Sequence, residues 1–374
     1  MIDYAARVQA TLGDERVQGR GRNAYKIMKA LLLSEYRKLE IAELASPVAG
    51  SGEVLVRVAA CGICGSDVHG YDGSTGRRIP PIVMGHEAAG IVVSVGAGVA
   101  NCSPGDSITF DSTISCGECG PCLRGDINLC EQRQVLGVSC TEYRRNGAFA
   151  EYVVVPSRIV YRLPESLSFP EAAMLEAVAV ALHAVSLAEI DSDCTALVVG
   201  AGMIGLLSLQ ALRAAGCSRV LVADIDPSRL RLAEQLGAAE VLNAGDANVM
   251  QQILRASGGA GVDIAIEAVG RNETVNTAIG SVRKGGQVIL VGNISPTVTL
   301  PLQAVVSRQI RLQGSCASSG EYPRAIELMA NGKIQVKPLI SAVAPLEDGV
   351  QWFERLHAGE PGLMKVVLTP GAAS

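Results

Sequence analysis

The chain has 374 residues, which is enough for two domains of about 150 residues that each bury their own core. Apolar residues make up 48% and charged residues 18%, and no run of about 18 uncharged apolar residues occurs, so the composition excludes a disordered chain and predicts no membrane partner. The net charge of -5 provides no positive surface for a polyanion, so no nucleic-acid partner is predicted.

The N-terminal segment, residues 1–27, carries charges of both signs and lacks the apolar centre of a secretory signal. Met28 follows it, directly before the strand-like run "KALLL". We therefore predict that residues 1–27 are a tail outside the fold and that the protein is cytoplasmic. Thiols stay reduced in that compartment, so clustered cysteines there indicate a metal or redox site more often than disulfides.

Residues 29–160 are dominated by short β-type runs such as "EVLVRVAA", "GIVVSVGAGV" and "AEYVVV", separated by Gly, Pro and Asp. The pattern predicts a β-rich first domain. From Phe169 onward, some twenty residues rich in Ala, Leu and Glu predict a helix that joins this domain to the next.

Two short segments of the β-rich part hold a first group of metal-type residues, "CGICGSDVHG" with Cys64 and "GHE" with His86 and Glu87. A thiolate, an imidazole and a carboxylate give three protein ligands and leave a fourth position for water or substrate. This donor set predicts a catalytic zinc site.

A second group has four cysteines in the spacing C-x2-C-x2-C-x7-C, namely Cys116, Cys119, Cys122 and Cys130. Such a loop can wrap four thiolates around one Zn²⁺ with no open position, which predicts a structural zinc site. An iron–sulfur cluster and unrelated free thiols remain alternatives. The other cysteines are predicted to be small buried residues; they are Cys61, Cys102, Cys140, Cys194, Cys217 and Cys316.

Six apolar strand candidates alternate with helical segments from residue 196 to residue 314, which predicts a doubly wound parallel sheet. The run "VVGAGMIG" places Gly200, Gly202 and Gly205 after a strand and at a helix start, the pattern of a dinucleotide pyrophosphate loop. Asp224 follows Gly205 by 19 residues, at the end of the next strand. Its carboxylate would accept hydrogen bonds from the adenosine ribose and repel the 2′-phosphate of NADP, so NAD is predicted.

The predicted cofactor site includes further residues at helix starts and strand ends: Met203, Ile204, Arg229, Val269 and Val291. Arg229 either reaches the ribose or is solvated. After residue 318, two helical stretches and a final strand, "LMKVVL", complete the chain.

These motifs together resemble the zinc-dependent medium-chain dehydrogenase/reductase family, closest to its sorbitol (polyol) dehydrogenase branch. The resemblance covers residues 28 to 370 in unbroken order. It implies an α/β protein with a GroES-like β-rich catalytic domain at residues 28–182 and 319–374. A Rossmann NAD-binding domain with a six-stranded, doubly wound parallel sheet is implied at residues 183–318, with the active site in the cleft between the two domains.

The resemblance also implies residue roles. Cys64 and His86 match the catalytic zinc ligands, and Glu87 matches the third ligand of the polyol branch. Glu176 matches a second glutamate that binds zinc directly or through water, and which glutamate binds stays open. Asp67 matches a carboxylate that orients His86.

Ser66 stands two residues after Cys64 and can accept the proton of the substrate hydroxyl. The resemblance implies a relay from it through the nicotinamide ribose to His69, whose alternative is a surface histidine without a role. His183 and His357 have no metal-type neighbours in the sequence and are predicted to be structural.

The substrate is the least determined part. The polyol branch commonly carries an Arg-Tyr pair after the last Rossmann strand, where this chain has Cys316 and Ala317. Tyr71 and Arg77 or Arg78 line the pocket, or the arginines are solvated.

The sequence therefore predicts an enzyme with two zinc ions per chain that transfers a hydride from a secondary alcohol of a polyol, with or without a phosphate group, to NAD. L-threonine dehydrogenase, another zinc alcohol dehydrogenase and a non-catalytic nucleotide-binding protein are the alternatives. The resemblance implies a homodimer or homotetramer.

Overall fold

The computed structural model of this chain describes residues 27–371. The predicted tail lies outside the described residues except for Ile27, which is the first residue of a strand instead.

The first part of the chain is β-rich, as its composition predicts. Its strands are β1 (Ile27–Glu35), β2 (Lys38–Ala45), β3 (Glu53–Gly62), β4 (Ile82–Val83), β5 (Glu87–Val95), β6 (Ser107–Phe110), β7 (Thr113–Ile114), β8 (Gln134–Val135), β9 (Val138–Ser139), β10 (Arg144–Arg145), β11 (Tyr152–Pro156) and β12 (Val160–Arg162). Two short helices, α1 (Gly65–Tyr71) and α2 (Gly120–Arg124), lie between them.

The rest of the chain alternates helices and strands. The strands are β13 (Thr195–Val199), β14 (Arg219–Asp224), β15 (Glu240–Asn243), β16 (Val262–Glu267), β17 (Val282–Leu290), β18 (Arg311–Gly314), β19 (Ile340–Pro345) and β20 (Lys365–Thr369). The helices are α3 (Phe169–Ala172), α4 (Leu175–Ser186), α5 (Met203–Ala214), α6 (Pro227–Gln235), α7 (Val249–Ala256), α8 (Asn272–Ser281), α9 (Leu302–Ser307), α10 (Tyr322–Ala330) and α11 (Gly349–His357).

Strands β13 to β18 form one parallel sheet in the order β15-β14-β13-β16-β17-β18. The prediction of a six-stranded doubly wound sheet is confirmed. The strand order reverses between β13 and β16, and ligands of such sheets bind at the carboxyl ends of the strands at that point. The glycine run "VVGAGMIG" lies there, between β13 and α5.

The largest sheet of the β-rich part contains strands from both ends of the chain. Strand β3 pairs antiparallel with β5 and β11, and also with β20, where Val367 lies opposite Gly62. Strand β20 is the predicted final strand, and β19, which the sequence analysis missed, pairs parallel with it. The C-terminal segment therefore packs beside the segment that leads to Cys64.

The long helix predicted from Phe169 is interrupted and forms α3 and α4. The segment Phe169–Ser186 is long and apolar enough to cross a membrane, but 67% of it is buried inside the protein, as expected of a core helix. It shares one hydrophobic core with α5 and α10. The predicted domain boundary at residues 182 and 183 falls inside α4, and the domain limits stay a prediction.

Candidate active site and metal centres

Cys64 lies at the N-terminus of α1, where it caps the helix. Its Sγ accepts a hydrogen bond from the backbone N–H of Ser66 at 3.5 Å, and its own N–H donates to Oδ2 of Asp67 at 3.4 Å. This reciprocal arrangement is a capping box, which stabilises the first turn of a helix. The sulfur is therefore held at a defined place beside the end of β3.

Glu87, the first residue of β5, and His86, directly before it, reach the same place. In the pairing of β3 with β5, Glu87 lies opposite Gly62, two residues before Cys64. The ligand atoms of Cys64, His86 and Glu87 all lie within 4.8 Å of one another, and both His86 and Glu87 are buried. Sulfur, nitrogen and oxygen donors at this spacing fit a zinc ion with an incomplete protein ligand set.

Asp67 lies behind His86, with its Oδ1 3.4 Å from Nδ1 of the ring. This is an ion-pair distance, and Nδ1 is a buried atom that makes no hydrogen bond of full geometry. Burial alone would raise the pKa of Asp67, but the charges of His86 and Arg78 outweigh it and hold the pKa well below its usual range. Asp67 is therefore an ionised carboxylate next to the imidazole.

Glu87 has a partner that the sequence analysis missed. Oε2 of Glu87 lies 2.5 Å from Nζ of Lys365 on β20, and both side chains are buried. Lys365 also donates to the carbonyl oxygen of Ile63 at 3.1 Å. A lysine inside the apolar run "LMKVVL" was the available signal, because a buried ammonium requires a partner, although the sequence does not tell which one.

Glu176, the second predicted glutamate ligand, does not join the cluster of three donors within 4.8 Å. It lies in the first turn of α4, near enough for its charge to interact with those of His86 and Glu87. Burial raises the pKa of Glu176 to about 7. The charge of His86 opposes this shift and the charge of Glu87 adds to it. Which glutamate binds zinc stays open, and the geometry favours Glu87.

Ser66 and His69 occupy the exposed side of α1, three residues apart, so they share one helix face.

Arg78 is buried and donates hydrogen bonds to Asp67 and to Ser66, and the sequence did not distinguish it from the exposed Arg77. Tyr71 is buried too, and its hydroxyl donates to the carbonyl of Arg37. Tyr71 is therefore a core residue and Arg78 is not solvated.

The four-cysteine loop brings its sulfurs together. All four Sγ atoms lie within 4.8 Å of one another, with 4.0 Å between Cys116 and Cys122 and 3.4 Å between Cys119 and Cys122. Four sulfurs at about 2.3 Å from one zinc ion would be separated by about 3.8 Å. Backbone N–H groups of Cys116 and Cys119 donate to Cys130 and Cys116 sulfurs, as expected for thiolates. The loop fits a tetrahedral zinc site.

The remaining cysteines follow the prediction of small buried residues with two departures. Cys61, Cys102, Cys194 and Cys217 are buried and Cys140 is partly buried, but Cys316 is exposed. The prediction was wrong for Cys316, because the segment after β18 lies on the surface, where its Sγ accepts a hydrogen bond from Arg133 at 3.2 Å. The two histidines predicted as structural bind carboxylates, His183 with Glu321 at 2.8 Å and His357 with Asp72 at 3.1 Å.

Two of the three glycines of the dinucleotide run are required by close packing. A Cβ on Gly200, whose φ is +99°, would collide with Val269, and a Cβ on Gly205 would collide with the carbonyl oxygen of Gly200. A Cβ on Gly202 would meet no protein atom within 4 Å, so the space in front of it is open. This open face at the N-terminus of α5, which begins with Met203 and Ile204, fits a pyrophosphate.

The other predicted cofactor residues surround this loop. Asp224 ends β14, and its two oxygens accept hydrogen bonds from the N–H groups of Ala201 at 2.6 Å and Asp226 at 2.8 Å. Nε of Arg229 lies 3.6 Å from Oδ2 of Asp226. Val269 and Val291 follow β16 and β17, and their N–H groups donate to Glu267 at 3.0 Å and 2.9 Å. The set lies at the carboxyl edge of the sheet.

Comparison with known proteins gives consistent matches over most of the chain. Residues 50–165 match the alcohol dehydrogenase GroES-like domain, and residues 204–331 match the zinc-binding dehydrogenase family. The sorbitol dehydrogenase of Bacillus subtilis (strain 168) is 32% identical over 347 residues, which cover 92% of this chain and 97% of that protein.

Two solved structures show the same fold. A zinc-binding dehydrogenase of Sinorhizobium meliloti 1021, bound to NADP, is 33% identical with a TM-score of 0.85, covering 92% of this chain and 100% of its own. Galactitol-1-phosphate dehydrogenase of Escherichia coli is 30% identical with a TM-score of 0.84 and the same two coverages of 92% and 100%.

Proposed function

The chain belongs to the zinc-dependent medium-chain dehydrogenase/reductase family, in its polyol dehydrogenase branch, and from that premise we propose the residues that carry its reaction. The protein is an NAD-dependent, zinc-containing alcohol oxidoreductase that oxidises a secondary hydroxyl of a polyol to a ketone. The observation that carries the proposal is the buried sulfur, nitrogen and oxygen donor set of Cys64, His86 and Glu87.

Cys64, His86 and Glu87 are the residues that would hold one zinc ion, and three protein donors would leave room for the substrate hydroxyl. When bound, zinc would act as a Lewis acid that lowers the pKa of a coordinated hydroxyl to about 7, and NAD would accept the hydride. Asp67 keeps His86 oriented from behind. Lys365 neutralises the second oxygen of Glu87 and limits the negative charge of the site.

Ser66 accepts the proton of the substrate hydroxyl, because its side chain lies on the exposed face of α1 two residues after Cys64. His69 is exposed on the same face and passes the proton to solvent. The four-cysteine loop would hold a second, structural zinc ion.

The carboxyl ends of the Rossmann strands would hold NAD, with Gly202 as the residue that would face the pyrophosphate and Asp224 as the one that would bind the adenosine ribose. One relative of known structure carries NADP, so the nucleotide preference of this chain requires a direct test.

Replacing Asp224 by serine is expected to reverse the nucleotide preference. The loss of charge-assisted hydrogen bonds of about 1.5–3 kcal/mol predicts a rise of about 10- to 100-fold in KM for NAD, while repulsion of the NADP phosphate disappears. Steady-state kinetics with both nucleotides measures the change. Asp193→Ser, at the amino ends of the strands, is the matched control and should leave both KM values unchanged. An unaltered NAD/NADP ratio in Asp224→Ser would contradict the assignment.

The substrate pocket departs from the polyol branch, since Cys316 and Ala317 stand where an Arg-Tyr pair is common. A panel of sugar alcohols, sugar-alcohol phosphates, L-threonine and simple alcohols, each with NAD and NADP, tests the substrate class by nucleotide reduction. We expect the highest kcat/KM on a polyol or its phosphate. Preference for L-threonine would reassign the enzyme within its family, and zinc-loaded protein inactive on every compound would contradict the oxidoreductase proposal.

We propose that the protein is a cytoplasmic homodimer or homotetramer. Strand β18 ends the six-stranded sheet and pairs there with β17 alone among the described residues, so its outer edge is available to a second copy. The four-cysteine loop groups its thiols as a metal site does, which is typical of proteins in a reducing compartment. Light scattering coupled to size-exclusion chromatography measures the subunit number.

A further inference from the structure

Arg78 is a buried cation that the proposed reaction does not yet use. Its side chain is only 5% exposed, and each of its three guanidinium nitrogens donates a hydrogen bond to a protein oxygen. Nε and Nη2 donate to Oδ1 of Asp67 at 3.2 and 3.0 Å, Nη2 donates also to Oγ of Ser66 at 3.3 Å, and Nη1 donates to the carbonyl of Arg77 at 3.0 Å. A buried guanidinium is costly unless it is paired in this way.

The missing side chain of Gly70 leaves a space, called here the passage, through which the side chain of Arg78 runs past α1. A Cβ on Gly70 of α1 would collide with Cγ of Arg78, so only glycine at position 70 lets the arginine pass the helix. The backbone around Arg78 is held by Ser139, whose N–H donates to Arg77 at 3.3 Å and whose Oγ donates to Ile79 at 2.8 Å. The guanidinium is therefore fixed before any substrate binds.

Asp67 connects the fixed guanidinium of Arg78 to the proposed metal ligands. Its Oδ1 accepts from Arg78 and lies 3.4 Å from Nδ1 of His86, while its Oδ2 accepts from the backbone N–H of Cys64. The carboxylate thus contacts two of the three proposed ligand residues. Its position is determined on the other side by Arg78.

Ser66 is affected by a different property of the guanidinium, which donates hydrogen bonds and never accepts them. The oxygen of Ser66 therefore receives a hydrogen bond from the interior, and the hydrogen of Ser66 cannot point toward Arg78. It is left free to donate toward the exposed side of α1, where His69 lies. This orientation is the one required of a group that accepts a proton from the substrate and passes its own proton outward.

We propose that Arg78 is a positioning residue of the oxidation: it fixes Asp67 behind His86 and sets the direction of the Ser66 hydroxyl. One buried cation then determines the geometry of both a metal ligand and the first proton acceptor. The inference rests on the proposed zinc chemistry at Cys64, His86 and Glu87. A purely structural ion pair would alter stability but would not alter the metal site or the proton step.

The test compares Arg78→Met with Arg78→Lys and with Arg77→Met, the exposed neighbour, in zinc-loaded full-length enzyme. In Arg78→Met we expect kcat to fall by about 10- to 100-fold, KM for NAD to stay unchanged, and zinc to leave the catalytic site about tenfold faster in the presence of a chelator. Arg78→Lys should recover part of the lost kcat, because lysine restores the positive charge but not the planar set of donors of a guanidinium. Arg77→Met should match the wild type.

The zinc measurement needs no substrate, so it tests Arg78 even if the substrate class is wrong. The Cys64→Ser variant identifies which phase of zinc release belongs to this site. Substitution of Co²⁺ for zinc gives an independent signature, because its visible absorption bands should shift in Arg78→Met and not in Arg77→Met. Wild-type kcat and wild-type zinc release in Arg78→Met, or equal losses in Arg77→Met, would overturn the inference.

Gly70→Ala provides a second route that keeps the arginine and displaces it. This variant replaces Arg78→Met in the experiment if Arg78→Met does not fold. We expect a loss of kcat and faster zinc release in the same direction. If both changes act through one contact, the double variant is no worse than Arg78→Met alone. Fully additive losses would show that Gly70 and Arg78 act separately and would contradict the proposed passage.

Discussion

Replacing Cys64 by serine is expected to abolish turnover while leaving NAD affinity unchanged. Serine is a good helix-capping residue, so the start of α1 should survive the substitution. A neutral hydroxyl is a poor substitute for a thiolate ligand, and the zinc effect on a hydroxyl pKa is about 9 units, or some 12 kcal/mol. Losing even a third of it predicts a fall in kcat of about 10³-fold or more.

The measurement combines kcat, the zinc content and NAD binding by fluorescence titration. Cys140→Ser is the matched control, since Cys140 lies in the turn between β9 and β10 and belongs to neither cysteine group of the predicted zinc sites. It should keep wild-type turnover and zinc content. A Cys64→Ser enzyme that retains the wild-type rate would remove Cys64 from the ligand set.

Replacing Cys130 by serine should remove the structural zinc and destabilise the β-rich part. Cys130 is 7% exposed, and its Sγ accepts the backbone N–H of Cys116 at 3.2 Å. Binding of a structural zinc ion contributes directly to folding free energy, so its loss should lower Tm by about 10 °C or more. Metal analysis should find one zinc ion fewer per chain.

Thermal unfolding with and without added zinc checks this expectation. Cys140→Ser serves again as the control, with an expected Tm close to the wild type. Unchanged Tm together with unchanged zinc content in Cys130→Ser would contradict a four-thiolate site. Loss of iron and of visible absorbance, instead of zinc, would favour the iron–sulfur alternative.

The features that could be predicted from the sequence are those whose chemistry lies within one short segment. Cys116 to Cys130 span fifteen residues, so their spacing alone restricts the thiols to one loop. Gly200 follows β13 and Gly205 lies in the first turn of α5, and their spacing follows from the close packing at this junction. The alternation of apolar strands and helices after residue 195 determined the parallel sheet in the same local way.

The features that could not be predicted are contacts between distant segments. Glu87 and Lys365 are separated by 278 residues and meet because β20 pairs with the end of β3. Neither the apolar pattern of "LMKVVL" nor the "GHE" segment predicts the pairing of β20 with β3. For the same reason Glu176 could not be ranked against Glu87, since its distance from the other donors depends on how α4 packs on the sheets.

The sequence by itself determined the types of donor atoms, the dinucleotide loop and the class of reaction, because each depends on residue identity and short spacing. Only the tertiary structure decided which charges accompany those donors. Arg78 and Arg77 are adjacent and chemically identical, yet one is buried against Asp67 and the other is exposed. The difference arises from the open space at Gly70 and the strand contacts with Ser139, which exist only after the chain has folded.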